Sequence, residues 1–199
     1  MATFMSRLVQ AAERVNYVGW IQSSGTQYFD VGVKPSTNTR VVMDVCPVNI
    51  GTTMKCLFGC RNANSSTASQ MFILWIQGPN TVYSDYFGNR KTFTATIDTR
   101  MVADKNRNVC TLNGTTVTNT AATGQATYNL FLLANNAVGT ASNFVSAQLF
   151  SCQIYENDVL IRDLWPCYDP DGVVCLYDRV EKKYYYNAGA GEFIAGGAA

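Results

Sequence analysis

The sequence predicts an all-β protein, a two-sheet antiparallel sandwich of jelly-roll type with a short N-terminal α-helix. Three observations carry that expectation. From Tyr17 onward the hydrophobic period drops to two, as in Arg40-Val41-Val42-Met43-Asp44-Val45 and Thr92-Phe93-Thr94-Ala95-Thr96-Ile97-Asp98, the alternation of a half-buried strand. Residues 147–191 pack strand-like runs and their reversals too densely for helical crossovers. Turn chemistry falls at the breaks. Asn113-Gly114 and Asn157-Asp158 are two-residue hairpin signals, and Gly78-Pro79-Asn80 and Asp169-Pro170-Asp171-Gly172 are turn formers.

Taken in order, residues 3–15 place Phe4, Met5, Leu8, Val9, Ala12 and Val15 on one helical stripe, with Ser6, Arg7, Gln10, Glu13 and Arg14 opposite. The spacing predicts a helical arm over 1–16, docking or oligomerising through Phe4, Leu8, Val9, Ala12 and Val15. Strands follow at 17–22, 28–31, 40–45, 54–61, 71–77, 81–86, 92–98, 108–112, 115–118, 128–134, 147–156, 159–164, 173–178 and 183–186. That number exceeds an immunoglobulin sandwich and suits a larger jelly roll. One β body spans 17–195, and the small-residue tail 196–199 is expected to fray.

Composition narrows the classes of function. A chain of 199 residues is one domain, long enough to bury roughly 70% of its unfolded surface without metal or disulfide support. Net charge is +1 with no basic run, which argues against nucleic acid or an anionic membrane as partner. No apolar run reaches the roughly 18 to 20 residues of a membrane span. The opening MATFMSRLVQAAERV is interrupted by charges and does not read as a secretory signal. The seven cysteines include no CxxC pair and read as small buried hydrophobes of a chain folded in a reducing cytoplasm. A zinc site on Cys56 and Cys60 would lack histidine and a second spaced pair.

The chain has no histidine, so Ser-His-Asp and Cys-His catalysis are absent. No catalytic residue is expected: Glu13, Glu156, Glu181 and Glu192 form no cluster, and the aspartates are not spaced as an acid–base pair. Gly189-Ala190-Gly191 is half a dinucleotide fingerprint but opens no helix. No metal or cofactor is assigned. Calcium on Asp169, Asp171 and the 62–66 loop is conceivable, yet solvated turn acids explain the same residues more simply. A glycan site wants an exposed aromatic beside amides and carboxylates, which points to Trp75, Tyr83, Asp85, Tyr86, Asn135 and Asn136. Trp20 and Trp165 sit in apolar context and read as core. Leu176-Tyr177-Asp178 and Tyr184-Tyr185-Tyr186 read as cross-strand aromatic packing.

The segment Trp20-Ile21-Gln22-Ser23-Ser24-Gly25-Thr26-Gln27-Tyr28-Phe29-Asp30-Val31-Gly32 resembles the opening of concanavalin A-like (laminin G-like) domains. Those domains occur in bacteriophage structural proteins and gut-bacterial surface proteins. Matching segments follow in order: Phe58–Asn62, Asn129–Asn135, Ser151–Tyr155, Leu160–Cys167 and Gly172–Asp178, leading to Tyr185-Tyr186-Asn187-Ala188-Gly189-Ala190-Gly191. The resemblance covers residues 17–195. It implies a concanavalin A-like jelly roll, and a non-enzymatic virion structural protein of capsid decoration, head fibre or tail. Such a protein would assemble in the bacterial cytoplasm and be displayed on the virion surface. Its expected partners are other virion proteins, further copies of itself and host or environmental glycans. A bacterial surface carbohydrate-binding adhesin is one alternative. A degenerate glycoside hydrolase is the other, without the ExDxxE acids of the superfamily's glucanases.

Overall fold

In the computed structural model, residues 15–64 and 69–197 are described. The strands are β1 (Asn16–Tyr17), β2 (Ile21–Gln22), β3 (Phe29–Asp30), β4 (Thr39–Pro47), β5 (Lys55–Arg61), β6 (Gln70–Gln77), β7 (Thr81–Tyr86), β8 (Asn89–Thr94), β9 (Met101–Asn106), β10 (Val109–Leu112), β11 (Thr115–Thr118), β12 (Phe131–Leu132), β13 (Asn135–Ala137), β14 (Thr140–Ser142), β15 (Ala147–Glu156), β16 (Val159–Tyr168), β17 (Val174–Asp178), β18 (Lys183–Tyr185) and β19 (Ile194–Ala195). They form two sheets. The larger runs β11-β10-β9-β4-β15-β16-β17-β18, with β1 on β16, β2 on β15 and β19 on β2. The smaller runs β14-β13-β5-β6-β7-β8, with β12 on β5 and β3 on β12. Pairing is antiparallel except for β13 beside β5. The all-β, two-sheet expectation therefore holds, in a form compatible with a jelly roll.

Alternation sets the core. In β4, Val41, Met43 and Val45 are buried while Val42 and Asp44 are half-exposed. They join Phe58, Phe72, Leu74 and Ile76 of the other sheet in one hydrophobic cluster, each such burial stabilising by about 1.5–3 kcal/mol. β6 reads as an unbroken apolar run because its outer face is covered too: Ile73 and Trp75 cluster there with Cys56. Gly59 lies in β5 between two register shifts. A Cβ there would sit 2.5 Å from Ile73 Cγ2, so the glycine is set by close packing across the strands.

The hairpin signals hold: Asn113 and Gly114 have φ of 45° and 78°, and Asn157 and Asp158 have 52° and 63°. Four strands escape the sequence reading: β9, β13, β14 and β19. In β9 the inward alternation runs Met101, Ala103, Lys105, and a lysine at the core position hides it. The proposed arm residues Phe4, Leu8, Val9 and Ala12 lie outside the described residues. Val15 is described, and Asn16, assigned to the arm, already belongs to β1. Two residues expected in the loose tail are tied down: Gly196 N–H donates to Trp20 O at 2.8 Å, and Gly19 N–H donates to Gly197 O at 2.7 Å.

The C-terminal segment folds back over the Trp20–Gly32 stretch. Ala188 N–H donates to Tyr28 O at 2.9 Å and Ala190 N–H to Thr26 O at 3.2 Å. The Thr26 hydroxyl returns a bond to Ala190 O at 2.9 Å, and Gln27 Nε2 donates to Glu192 O at 3.2 Å. Gly189 has to be glycine in this clasp, because a Cβ there would overlap the Thr26 carbonyl oxygen.

Candidate functional site

The glycan candidates named from sequence divide into three places. Trp75, Tyr83 and Asp85 meet on the outer face of β6 and β7, where Trp75 pairs with Tyr83 in register. Trp75 Nε1 donates to Asp85 Oδ2 at 2.5 Å, and Arg90 clamps the same carboxylate at 2.6 and 2.7 Å while lying over the Tyr83 ring. Trp75 and Asp85 are buried, so this group is spent on its own packing. Tyr86 points the other way, into the core, and its hydroxyl donates to Thr37 O at 2.8 Å. Asn135 and Asn136 are buried in β13. Asn136 takes up its own turn by donating to Asn129 O and accepting from Gly139 N–H. The hydrogen-bonding groups of Trp75, Asp85, Tyr86 and Asn136 are thus already partnered within the protein.

A different surface brings aromatic rings, amides and carboxylates together. On the outer face of the larger sheet, the register pairs Trp165 with Tyr177 and Tyr177 with Tyr184, so the three side chains stand in a row across β16, β17 and β18. Ring centroids of Tyr177 and Tyr184 are 5.0 Å apart, Tyr184 continues to Tyr186 at 6.5 Å, and Tyr17 of β1 stands edge-on to Tyr177 at 6.4 Å. Tyr186 is 49% exposed, and Trp165, Tyr177, Tyr184 and Tyr17 are half-buried. At a strand spacing of about 4.8 Å, three rings extend over about 10 Å.

Polar groups fix the row. Asp163, almost fully buried, accepts from Trp165 Nε1 at 2.8 Å and from Gln153 Nε2 at 3.2 Å, and binds Arg179 Nε at 2.7 Å. The Arg179 guanidinium lies 4.4 Å from the Trp165 ring. At the other end, the Tyr186 hydroxyl donates to Asp169 Oδ2 at 2.9 Å. Desolvation, and then the Asp169 carboxylate, push the Tyr186 hydroxyl up to about 12. The Val173 N–H, first among several donors, holds the Asp169 carboxyl below its ordinary value. Tyr186 thus stays a protonated donor and Asp169 an ionised acceptor at neutral pH.

Beside Tyr186 opens a groove of about 400 Å³, lined by Val173, Asn187, Glu192 and the backbone of Gly172, Gly189 and Gly191. It lies against the clasp described above. Chemically, the row offers apolar ring surface to the C–H face of a pyranose. The groove offers the Glu192 carboxylate and backbone groups for its hydroxyls, the Asn187 amide being bonded to Gly189 and Gly191.

Among the described residues, no three of the metal-ligating types stand together as a cation site. Asp169 Oδ1 accepts from the backbone N–H of Asp171 and Val173, so the acid considered for calcium organises its own turn. Cys56 and Cys60 are buried thiols, and burial pushes Cys60 up to about 12.

Sequence reasoning missed the row for two reasons. Trp165 has Leu164 and Pro166 as neighbours, and apolar flanks suggested a core position. Tracking the period of two through β16 would have put Trp165 outward, on the face opposite Leu164. The tyrosine runs were recognised as cross-strand packing, which they are, but their side of the sheet was not assigned. No family model matches this chain, and no curated protein matches it closely enough to count as a relative.

Proposed function

We propose that the chain is a non-enzymatic structural protein of a bacteriophage virion, displaying a concanavalin A-like module that binds glycans weakly and gains strength from copy number. The observation that carries this reading is the clasp. Two of the segments that carry the resemblance, Trp20–Gly32 and Tyr185–Gly191, are far apart in sequence and hydrogen-bonded to each other in space. The clasp borders the groove beside the aromatic row, so the family-like residues and the sugar-type surface form one neighbourhood. Glycans are the ligand class of choice because the row combines flat rings with pre-oriented hydrogen-bonding groups and little free charge. The non-enzymatic part rests on the carboxylates beside the row: Asp163 is taken up by Trp165, Gln153 and Arg179, and Asp169 by Tyr186 and the N–H groups of its own turn, so both already serve as structural acceptors.

Particle incorporation tests the virion part. The full chain and a form lacking residues 1–15 are produced during phage growth, and purified particles are assayed for each. Incorporation of the full chain but not the truncated one, with the β body still folded, supports docking through the arm. Absence of the full chain from particles overturns the virion reading and leaves a free or cell-surface lectin.

A further inference from the structure

We propose that Cys167 and Cys175 are a modification site: a dithiol that closes to a disulfide across β16 and β17 and locks the aromatic row. The two residues are direct cross-strand partners, and their Sγ atoms are 3.5 Å apart. Among the described residues this is the one pair of sulfurs in contact. Asp169 N–H donates to Val173 O at 3.0 Å, one alternation further along, and Pro166, which has no N–H, falls on the intervening position. Cys167 and Cys175 therefore occupy a hydrogen-bonded antiparallel pair, whose Cα atoms stand about 5.5 Å apart, within the range a disulfide spans. Closing the gap takes side-chain rotation and a slight drawing together of the two strands, because opposed Cβ atoms at a hydrogen-bonded position stand about 5 Å apart and a disulfide prefers about 4 Å.

The pair also sits where a cross-link would matter. By alternation both cysteines share the outer face with Trp165 and Tyr177, one alternation along the same two strands, and Tyr17 is the cross-strand partner of Cys167 on its other side. A bond there fixes the separation of the strands that carry the first two rings of the row. Both thiols are fully buried and so covered, with the two-residue strand β1 paired beside Cys167. The hydrogen bond with Cys167, and then burial, push the Cys175 thiol far above its ordinary value. Closure is accordingly slow while the cover is shut and faster as pH rises.

The reaction is thiol–disulfide exchange with a low-molecular-weight disulfide such as glutathione disulfide. One cysteine thiolate attacks it, forming a mixed disulfide and releasing one glutathione thiol. The second cysteine thiolate displaces the other glutathione, so the Sγ–Sγ bond forms while the two electrons and the protons leave on two glutathione thiols. The timing rests on the proposed function: thiols persist in a reducing cytoplasm and close when particles reach oxidising surroundings. The chemistry does not depend on that reading.

The purified full chain is incubated with glutathione disulfide at mildly alkaline pH, with and without low urea to open the cover, then acid-quenched, alkylated and digested with trypsin. Cleavage after Arg162 and Arg179 leaves both cysteines in one peptide, 163–179. The expected result is a peptide lacking both alkyl groups and lighter than the reduced peptide by two hydrogens. Cys167→Ser and Cys175→Ser each retain one alkylated or glutathionylated thiol instead. A wild-type peptide that keeps both alkyl groups, or carries two glutathione adducts, under both conditions overturns the proposal. Because the readout is peptide mass, a negative result leaves glycan binding and particle incorporation untouched, and failure of those leaves the cross-link standing.

Discussion

Phe29 and Phe193 lie face to face, their ring centroids 4.6 Å apart and their planes 3° from parallel. Both are buried in the main core, although they come from opposite ends of the β body. The stack is the apolar half of the clasp, and the backbone bonds of Thr26, Tyr28 and Ala190 are its polar half. Phe193→Ala is expected to lower stability by about 3 to 4 kcal/mol, read as a shift in the urea unfolding midpoint with an unchanged slope. Tyr184→Ala, on the outer face, should stay within about 0.5 to 1 kcal/mol of wild type.

Gly189→Ala probes the polar half. The added methyl would overlap the Thr26 carbonyl oxygen, which is backbone and cannot rotate away. A loss of about 1 to 3 kcal/mol is expected from such overpacking. Raised hydrogen exchange at the Ala188 and Ala190 amides would show that the clasp itself has loosened.

Asp85 joins Trp75 to Arg90 in a buried cluster. Asp85→Ala leaves an indole N–H without an acceptor and a guanidinium without its counter-ion, an expected loss of about 3 kcal/mol, with Arg90 still 28% exposed to soften it. Glycan binding should be unchanged, because this cluster lies on the other sheet from the aromatic row.

Lys105 is fully buried between the sheets, its Nζ donating to Ser84 Oγ at 2.7 Å and lying 5.0 Å from the Phe72 ring. Cys110 stands directly opposite on β10. Ser84 passes the network on to Asn119. Burial lowers the lysine from 10.5 to about 8. The folded value is depressed, so the unfolded chain binds more protons between those two pH values, and stability rises with pH across that window. The penalty is fully present below pH 8, absent above pH 10.5, and amounts to about 3 kcal/mol. Lys105→Met removes it. The variant should be more stable than wild type at pH 7, and the difference should shrink as pH rises from 8 to 10.5 in parallel urea titrations.

Lys105 also shows why part of the fold was hidden in the sequence. Its strand alternates properly, but a charge at an inward position breaks the apolar pattern, and its compensation comes from Ser84 and two aromatic rings on the other sheet. No local window contains those partners. Where compensation is local, the reading succeeds: Asn113-Gly114 and Asn157-Asp158 set their hairpins by backbone preference alone, and β4 declares its buried face residue by residue. The candidate site falls between these cases. Its tyrosines were visible as aromatic packing, but Trp75 and Asp85 looked like a ligand platform because their mutual bond, and the Arg90 clamp that buries them, depend on cross-strand register.

Binding of the purified chain to a glycan array and to host cell-wall polysaccharides, with calcium and with chelator, tests the account most directly when wild type is run beside Trp165→Ala and Tyr184→Ala. The account predicts saturable, competable binding by wild type, reduced at least tenfold in both variants, about 1.4 kcal/mol of binding free energy or more. The Tyr184→Ala midpoint should stay close to wild type. The Trp165→Ala chain should still be folded at a lowered midpoint, because that change takes a hydrogen bond from the buried Asp163. Silence of the wild type across all glycans, or binding that both variants retain in full, would contradict the assignment of the aromatic row as a sugar-binding surface.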